Sequence, residues 1–156
     1  NSVSLQEEIT GLQNNIELEQ LRLDHSFSFE LIVDDSIEPE DVEVPPMLIQ
    51  PFVENAIKHG LRSKGVGGVL KIHYQLINDD TMKCTVEDNG VGRDVTTKMK
   101  LIKSGHASRG IEITRSRLRQ IWNSHFKSEY FRITDLKNAN NTPVGTRVEI
   151  LFPVKY

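Results

Sequence analysis

A single cysteine among 156 residues excludes a disulfide framework and a cysteine-rich zinc site, and a reducing cytoplasm suits such a chain. Basic residues are not in excess. The formal net charge of -3 gives no cationic face of the kind nucleic-acid binding normally needs. No apolar run approaches the roughly 20 residues of a membrane helix, and no signal-peptide pattern opens the chain. Internal repeats and low-complexity tracts are absent. So are the P-loop pattern G-x-x-x-x-G-K-[ST] and a strand–G-x-G-x-x-G–helix unit, which removes the Walker and Rossmann routes to a nucleotide site. What remains, 37% hydrophobic and 26% charged, is the composition of an ordinary soluble globular protein, long enough for one domain with a proper core.

The chain opens abruptly on a helical pattern, as a portion of a longer protein would. Leu5, Ile9, Leu12 and Ile16 recur at four- and three-residue steps and Leu23 returns to the stripe, so a helix is predicted over about 4–23. Gly11 and Asn14-Asn15 weaken it. Two readings stand for it: a helix packed on its own domain, or the tail of a dimerisation and linker helix, which would divide the chain into residues 1–24 and 25–156. Phe27, Phe29, Leu31 and Val33 alternate with other residues as a strand with one buried face, and an acidic loop runs from Asp34 to Glu43. Pro45-Pro46 announces a helix, with Pro51 tolerated only in its first turn. On that helix Asn55, Lys58, His59 and Arg62 share one face, while Val53, Ala56 and Ile57 lie towards the other.

After a glycine-rich loop, Leu70 to Leu76 and Met82 to Val86 alternate on either side of Asn78-Asp79-Asp80, which reads as a hairpin. Cys84 then falls in the core and has no redox role. Val91 to Arg109 carries lysines and glycine without sustained periodicity. A second helix is predicted over 110–124 on Ile111, Leu118, Ile121 and Trp122, followed by strands over 130–134 and 146–152. Strands pairing with their sequence neighbours, and helices gathered on one face, make an α/β two-layer sandwich with a mixed or antiparallel sheet.

Two segments carry chemistry: Pro45-Pro-Met-Leu-Ile-Gln-Pro-Phe-Val-Glu-Asn-Ala-Ile-Lys-His-Gly60 and Val86-Glu-Asp-Asn-Gly-Val-Gly-Arg93. The Asn55 amide offers a neutral oxygen to a magnesium ion that keeps most of its waters, and Lys58, on the same face, offers a charge to a phosphate. Asp88 ends a strand, where a carboxylate can accept from an adenine amine. Gly90 and Gly92 let the backbone come close to a nucleotide. Asn89-Gly90 is also a favoured hairpin turn, but the residues after it do not read as a return strand. Glu54 has two readings, orienting or deprotonating an acceptor, or pairing with Lys58 at four-residue spacing.

The first segment resembles the N-box of the LytS-type sensor histidine kinases, and the resemblance spans nearly the whole chain. It implies the sandwich of the gyrase, heat-shock and histidine-kinase ATP-binding domains, with ATP and magnesium bound. It matches Asn55 to the metal-binding asparagine, Asp88 to the adenine-binding aspartate, Gly90 and Gly92 to the first glycine box, and Gly145-Thr146 to the last. Val91 to Ser108 corresponds to a flexible lid and Ser108 to Leu118 to the second glycine box. There only Gly110 survives of the usual G-x-G-L, preceded by Arg109, with a helix N-terminus expected at Gly110. Leu18 to Arg22 looks like the family's acidic helix. His59 would edge the adenine pocket and His106 would sit in the lid. The family's acceptor context, Pro-His-Phe-x-Phe-Asn, is missing, and His25, His73 and His125 do not match it.

The implied function is the catalytic domain of a two-component sensor histidine kinase. It would transfer the γ-phosphoryl group of ATP to a histidine upstream of this chain, for relay to a response regulator, often of the LytTR type. The implied whole is a homodimer with its catalytic part on the cytoplasmic side of a bacterial inner membrane, and no nucleic acid is involved. The alternative is a degenerate nucleotide-binding module that signals without kinase activity, to which the eroded second glycine box would be suited. A hydrolase on the same fold is disfavoured, because the position for its water-activating carboxylate, one turn before Asn55, is Pro51.

Overall fold

The computed structural model describes residues 1–91 and 106–156, the side chains of 106–109 excepted. A two-residue strand β1 (Val3–Ser4) leads into helix α1 (Leu5–Arg22), whose N-cap Ser4 hydroxyl accepts from the Glu7 backbone N–H at 3.1 Å. Leu5, Ile9, Leu12 and Ile16 of α1 are buried in the same core as the sheet. The stripe that would have suited a coiled-coil seam is therefore covered by this chain itself. Strand β1 pairs antiparallel with β3 (Glu43–Val44), and Glu43 bridges to Lys155. The chain's first residues, the approach to Pro45-Pro46 and the C-terminus thus meet at one corner.

The main sheet has five strands: β2 (Phe27–Val33), β4 (Gly68–Asn78), β5 (Thr81–Asp88), β6 (Phe131–Lys137) and β7 (Pro143–Pro153), in the order β2-β4-β5-β7-β6. Among the described strands only β2 and β4 run parallel, so the sheet is mixed. Strand residues alternate between faces, and the face turned to the helices is apolar: Leu70, Ile72 and Tyr74 of β4, Met82, Cys84 and Val86 of β5, Val148, Ile150 and Phe152 of β7. The opposite face carries ion pairs, Arg147 Nε to Glu87 Oε1 and Lys83 Nζ to Glu149 Oε2, both 2.7 Å. That one-sided patterning is what a two-layer sandwich requires. Burial pushes the Cys84 thiol well above its usual range, as befits a core residue and not a reactive one.

The helix announced by the prolines has three parts. Helix α2 (Gln50–Asn55), with Pro51 in its first turn, passes into a π-helical stretch (Ala56–Leu61) and then into a last short turn, α3 (Arg62–Lys64). Glu54, Asn55, Lys58, His59 and Arg62 are exposed, while Phe52, Val53, Ala56, Ile57, Gly60 and Leu61 are buried. Helix α4 (His106–Trp122) begins four residues earlier than expected, inside the segment assigned to the lid. It stops where Asn123 takes a positive φ of 55°, a conformation asparagine tolerates at helix ends. Fully buried Leu118 anchors it to the sheet, and Phe52 and Phe131 meet edge to face at 5.3 Å between α2 and β6.

Candidate functional site

Asp88 is the last residue of β5 and continues, with a carboxyl group, the apolar stripe Met82–Cys84–Val86. In register it lies between Leu70 of β4 and Thr146 of β7, and Thr146 in turn opposite Asp135 of β6. Along this cross-strand row the sheet turns polar from β5 to β6, while Leu70 of β4 stays apolar. Asp88 is only 5% exposed. Its Oδ1 accepts from the Gly90 backbone N–H at 2.9 Å, and among the described residues Oδ2 has no hydrogen-bond partner. Burial pushes the carboxyl up to about 6, the Gly90 N–H works against that rise, and the neighbouring Glu87 adds to it.

Three glycines pack around this end of β5. Gly60 backs directly onto the carboxyl: a Cβ at Gly60 would stand 2.6 Å from Asp88 Oδ1. A Cβ at Gly90 would come within 2.4 Å of the Gly60 carbonyl oxygen, and Gly145, with φ of 149°, lies against the Asp88 carbonyl. The Gly60 carbonyl also accepts from the Val91 N–H at 3.3 Å. Asn89 ties the other side. Its Oδ1 accepts from the Val69 N–H at 2.6 Å and its Nδ2 donates to the Gly67 carbonyl at 3.2 Å. The two side-chain bonds hold the end of β5 against the start of β4, so Asn89-Gly90 is not a simple hairpin turn.

The structure therefore brings together Asp88, Gly90 and Thr146 of the expected residues, and adds Gly60, Asn89 and Gly145. Gly60 had a sequence signal: a glycine inside a helix costs about 1 kcal/mol relative to alanine, so its place there points to a close approach. The π-helical stretch that carries it to the strand end had none. Such stretches are frequent at functional sites.

Asn55 lies exposed on the same helical run, and among the described residues its amide has no hydrogen-bond partner. Glu54 does not pair with Lys58. Its Oε1 accepts from Gln50 Nε2 at 3.2 Å, and among the described residues Lys58 forms no ion pair. Both instead line a cavity of about 290 Å³ between α1 and α2, with Glu19 and Arg22 across from them. His59 is exposed on the turn before Gly60. Gly110 is not at a helix N-terminus, since α4 starts at His106 and its free N–H groups belong to its first turn. Arg109 lies in that first turn. Gly92 and most of the expected lid fall outside the described residues.

No family model matches the chain. Among curated proteins it is 37% identical over 90 residues to the sensor protein LytS of Oceanobacillus iheyensis, a match covering 58% of this chain and 15% of that protein. It is 28% identical over 150 residues to the putative uncharacterized protein YwpD of Bacillus subtilis, covering 96% of this chain and 49% of that one. The chain thus spans half or less of the length of these relatives. Among solved structures it superposes on the catalytic domain of histidine kinase ThkA with a TM-score of 0.62 at 16% identity, covering 98% of this chain and 95% of that one. The same kinase in complex with the response regulator protein TrrA matches with a TM-score of 0.55 at 17% identity, over 98% of this chain and 41% of that one. At such identities the likeness is one of fold, and the fold is that of histidine-kinase catalytic domains.

Proposed function

We propose, from the premise that this chain is a catalytic domain of the LytS-type sensor histidine kinases, that it binds ATP at the Asp88 edge of the sheet and phosphorylates a histidine. The observation that carries the reading is the Asp88 carboxyl: buried at a strand end, with Gly60 backing onto it, one oxygen engaged by the Gly90 N–H and the other without a hydrogen-bond partner among the described residues. A carboxylate in so buried a residue gains from a further donor, and an adenine amine is a donor of the right chemistry for it.

In this reading Asp88 accepts from the adenine amine, and the Gly90 backbone, with Gly92 beyond it, lies along the base. Thr146, in the same row, supplies a hydroxyl at the pocket floor, and His59 edges the pocket. The Asn55 amide, exposed and without a hydrogen-bond partner among the described residues, would present an oxygen to magnesium, which needs few protein ligands when phosphate oxygens complete its shell. A magnesium ion held there would neutralise charge on the phosphates. Lys58 adds a positive charge on the same exposed face, and the first turn of α4, which includes Arg109 and immediately precedes Gly110, supplies free backbone N–H donors towards the phosphates. The acceptor imidazole, outside this chain, attacks the γ-phosphorus. A nitrogen–phosphorus bond forms as the bond to the bridging oxygen breaks, ADP leaves, and Glu54 orients the imidazole or takes its proton. Phosphoryl transfer asks mainly for such positioning and charge neutralisation.

The domain belongs, in this proposal, to a longer membrane-anchored protein whose cytoplasmic part dimerises through the segment bearing the acceptor. Residues 1–24 lead from that segment into the catalytic domain at residues 25–156. A LytTR-type response regulator then receives the phosphoryl group. Among the described residues no helix is long and apolar enough to cross a membrane.

The test is in trans. The chain mixed with magnesium, ATP and a fragment carrying the family's acceptor helices should label the fragment and not itself. Asn55→Ala should abolish labelling while keeping the fold, because the residue is exposed. ATP binding without transfer would favour the non-catalytic alternative, and no nucleotide binding at all would refute both.

A further inference from the structure

We propose that Gly60 is a positioning residue for base recognition: its missing side chain holds the Asp88 carboxylate in the orientation that reads the adenine amine. The inference rests on the ATP-binding reading above and adds to it a residue that touches no reacting atom.

The three glycines around Asp88 are not equivalent. A side chain at Gly145 would collide with the Asp88 carbonyl oxygen, on a φ of 149° that disfavours any Cβ. A side chain at Gly90 would collide with the carbonyl carbon, carbonyl oxygen and Cα of Gly60, at 2.3 to 2.5 Å. Both contacts are with main chain, which cannot give way without shifting a strand end or a helix. At Gly60 the obstacle is different. A Cβ there would meet Asp88 Oδ1 at 2.6 Å, Cγ at 3.0 Å and Oδ2 at 3.3 Å, all atoms of one side-chain terminal group and none of main chain. Gly60 itself sits in helical backbone without a positive φ, so alanine is compatible with its conformation. The fold can accept a methyl group at Gly60 if the carboxyl turns away. Turning it separates Oδ1 from the Gly90 N–H that now fixes it at 2.9 Å and re-aims Oδ2.

Gly60 thus joins the metal-binding and base-binding parts of the site. The helical run that carries Asn55 touches, at Gly60, the residue that selects the base, and the π-helical stretch delivers it there.

The experiment compares Gly60→Ala with the unmodified chain by calorimetry in magnesium, using ATP and inosine triphosphate, whose base carries an oxygen in place of the adenine amine. The unmodified chain should prefer ATP. Gly60→Ala should lose about tenfold or more in ATP affinity, the equivalent of one charge-assisted hydrogen bond, with little change for inosine triphosphate. In an Asp88→Asn background the same substitution should have no further effect on ATP, because the two residues act through one contact. Equal losses for both nucleotides would assign Gly60 a merely structural role and overturn the proposal. So would a Gly60→Ala chain that fails to fold, since the argument requires the carboxyl to yield before the backbone. If the unmodified chain binds neither nucleotide, or both equally, the adenine reading falls and this inference with it. A retained preference in Gly60→Ala removes the inference alone.

Discussion

Arg117 of α4 donates through its guanidinium to the carbonyl of Pro46 at 2.7 Å, and through a second nitrogen to that of Met47 at 3.3 Å. The planar fork joins α4 to the loop that enters α2. Met47 is held from the other side as well, its N–H donating to Glu8 Oε1 of α1 at 3.0 Å, and it adopts a φ of 57° that a methionine rarely takes. Three helices therefore converge on this short loop.

Arg117→Ala should lower stability by about 1.5 kcal/mol, the lower end for hydrogen bonds to a charged group, because the contact is only partly buried. Arg117→Lys should recover part of it, since an ammonium cannot span two carbonyls with a planar fork. Urea denaturation of the three chains measures this; an unchanged midpoint in Arg117→Ala would show the contact to be inert.

Asp88 sets a pH dependence whose sign follows from burial. Its carboxyl titrates at about 6 in the folded chain against 3.8 in the unfolded one, so between these values the folded state holds the extra proton. Stability from this group is full below 3.8 and is lost as pH rises to about 6. Asp88→Asn, which keeps an acceptor for the Gly90 N–H but no charge, should be more thermostable than the unmodified chain above about pH 6, the advantage fading as pH falls towards 3.8. ATP affinity should run the other way. It should be highest above about pH 6, fall as the carboxyl is protonated, and be weak at all pH values in Asp88→Asn. Melting curves and calorimetry across the range test both, and a pH-independent difference in melting temperature would contradict the assignment.

Helix α1 contributes to the core and not only to a connection. Leu12 is 2% exposed and Leu18, on the same helix, 53%. Leu12→Ala should cost about 2–5 kcal/mol, while Leu18→Ala should stay within about 0.5 kcal/mol. Equal, small effects in equilibrium unfolding would mean that α1 is docked without energetic consequence.

The sequence by itself determined the elements whose burial has a clear period. Alternation over Phe27–Val33 and on both sides of Asn78-Asp79-Asp80 specified the strands, because one face of each lies on the core. The apolar stripe of α1 and the prolines before α2 specified those helices for the same reason, one buried side or one orphan donor removed. Asp88 stood out because a carboxylate ends an apolar strand, and Asn55 because an amide sits on the polar face of a helix.

The tertiary structure alone decided what depends on elements meeting. The parallel pairing of β2 with β4 joins strands thirty-five or more residues apart and has no local signature. Whether α1 packed inward or outward could not be read from its stripe, since a core and a coiled-coil seam bury the same residues. The start of α4 at His106 overrode a segment with no periodicity. The π-helical stretch and the contact of Gly60 with Asp88 were hidden for a deeper reason. A glycine's role here lies in what its absent side chain would have struck, and that is defined only once a strand end twenty-eight residues later has been brought against it.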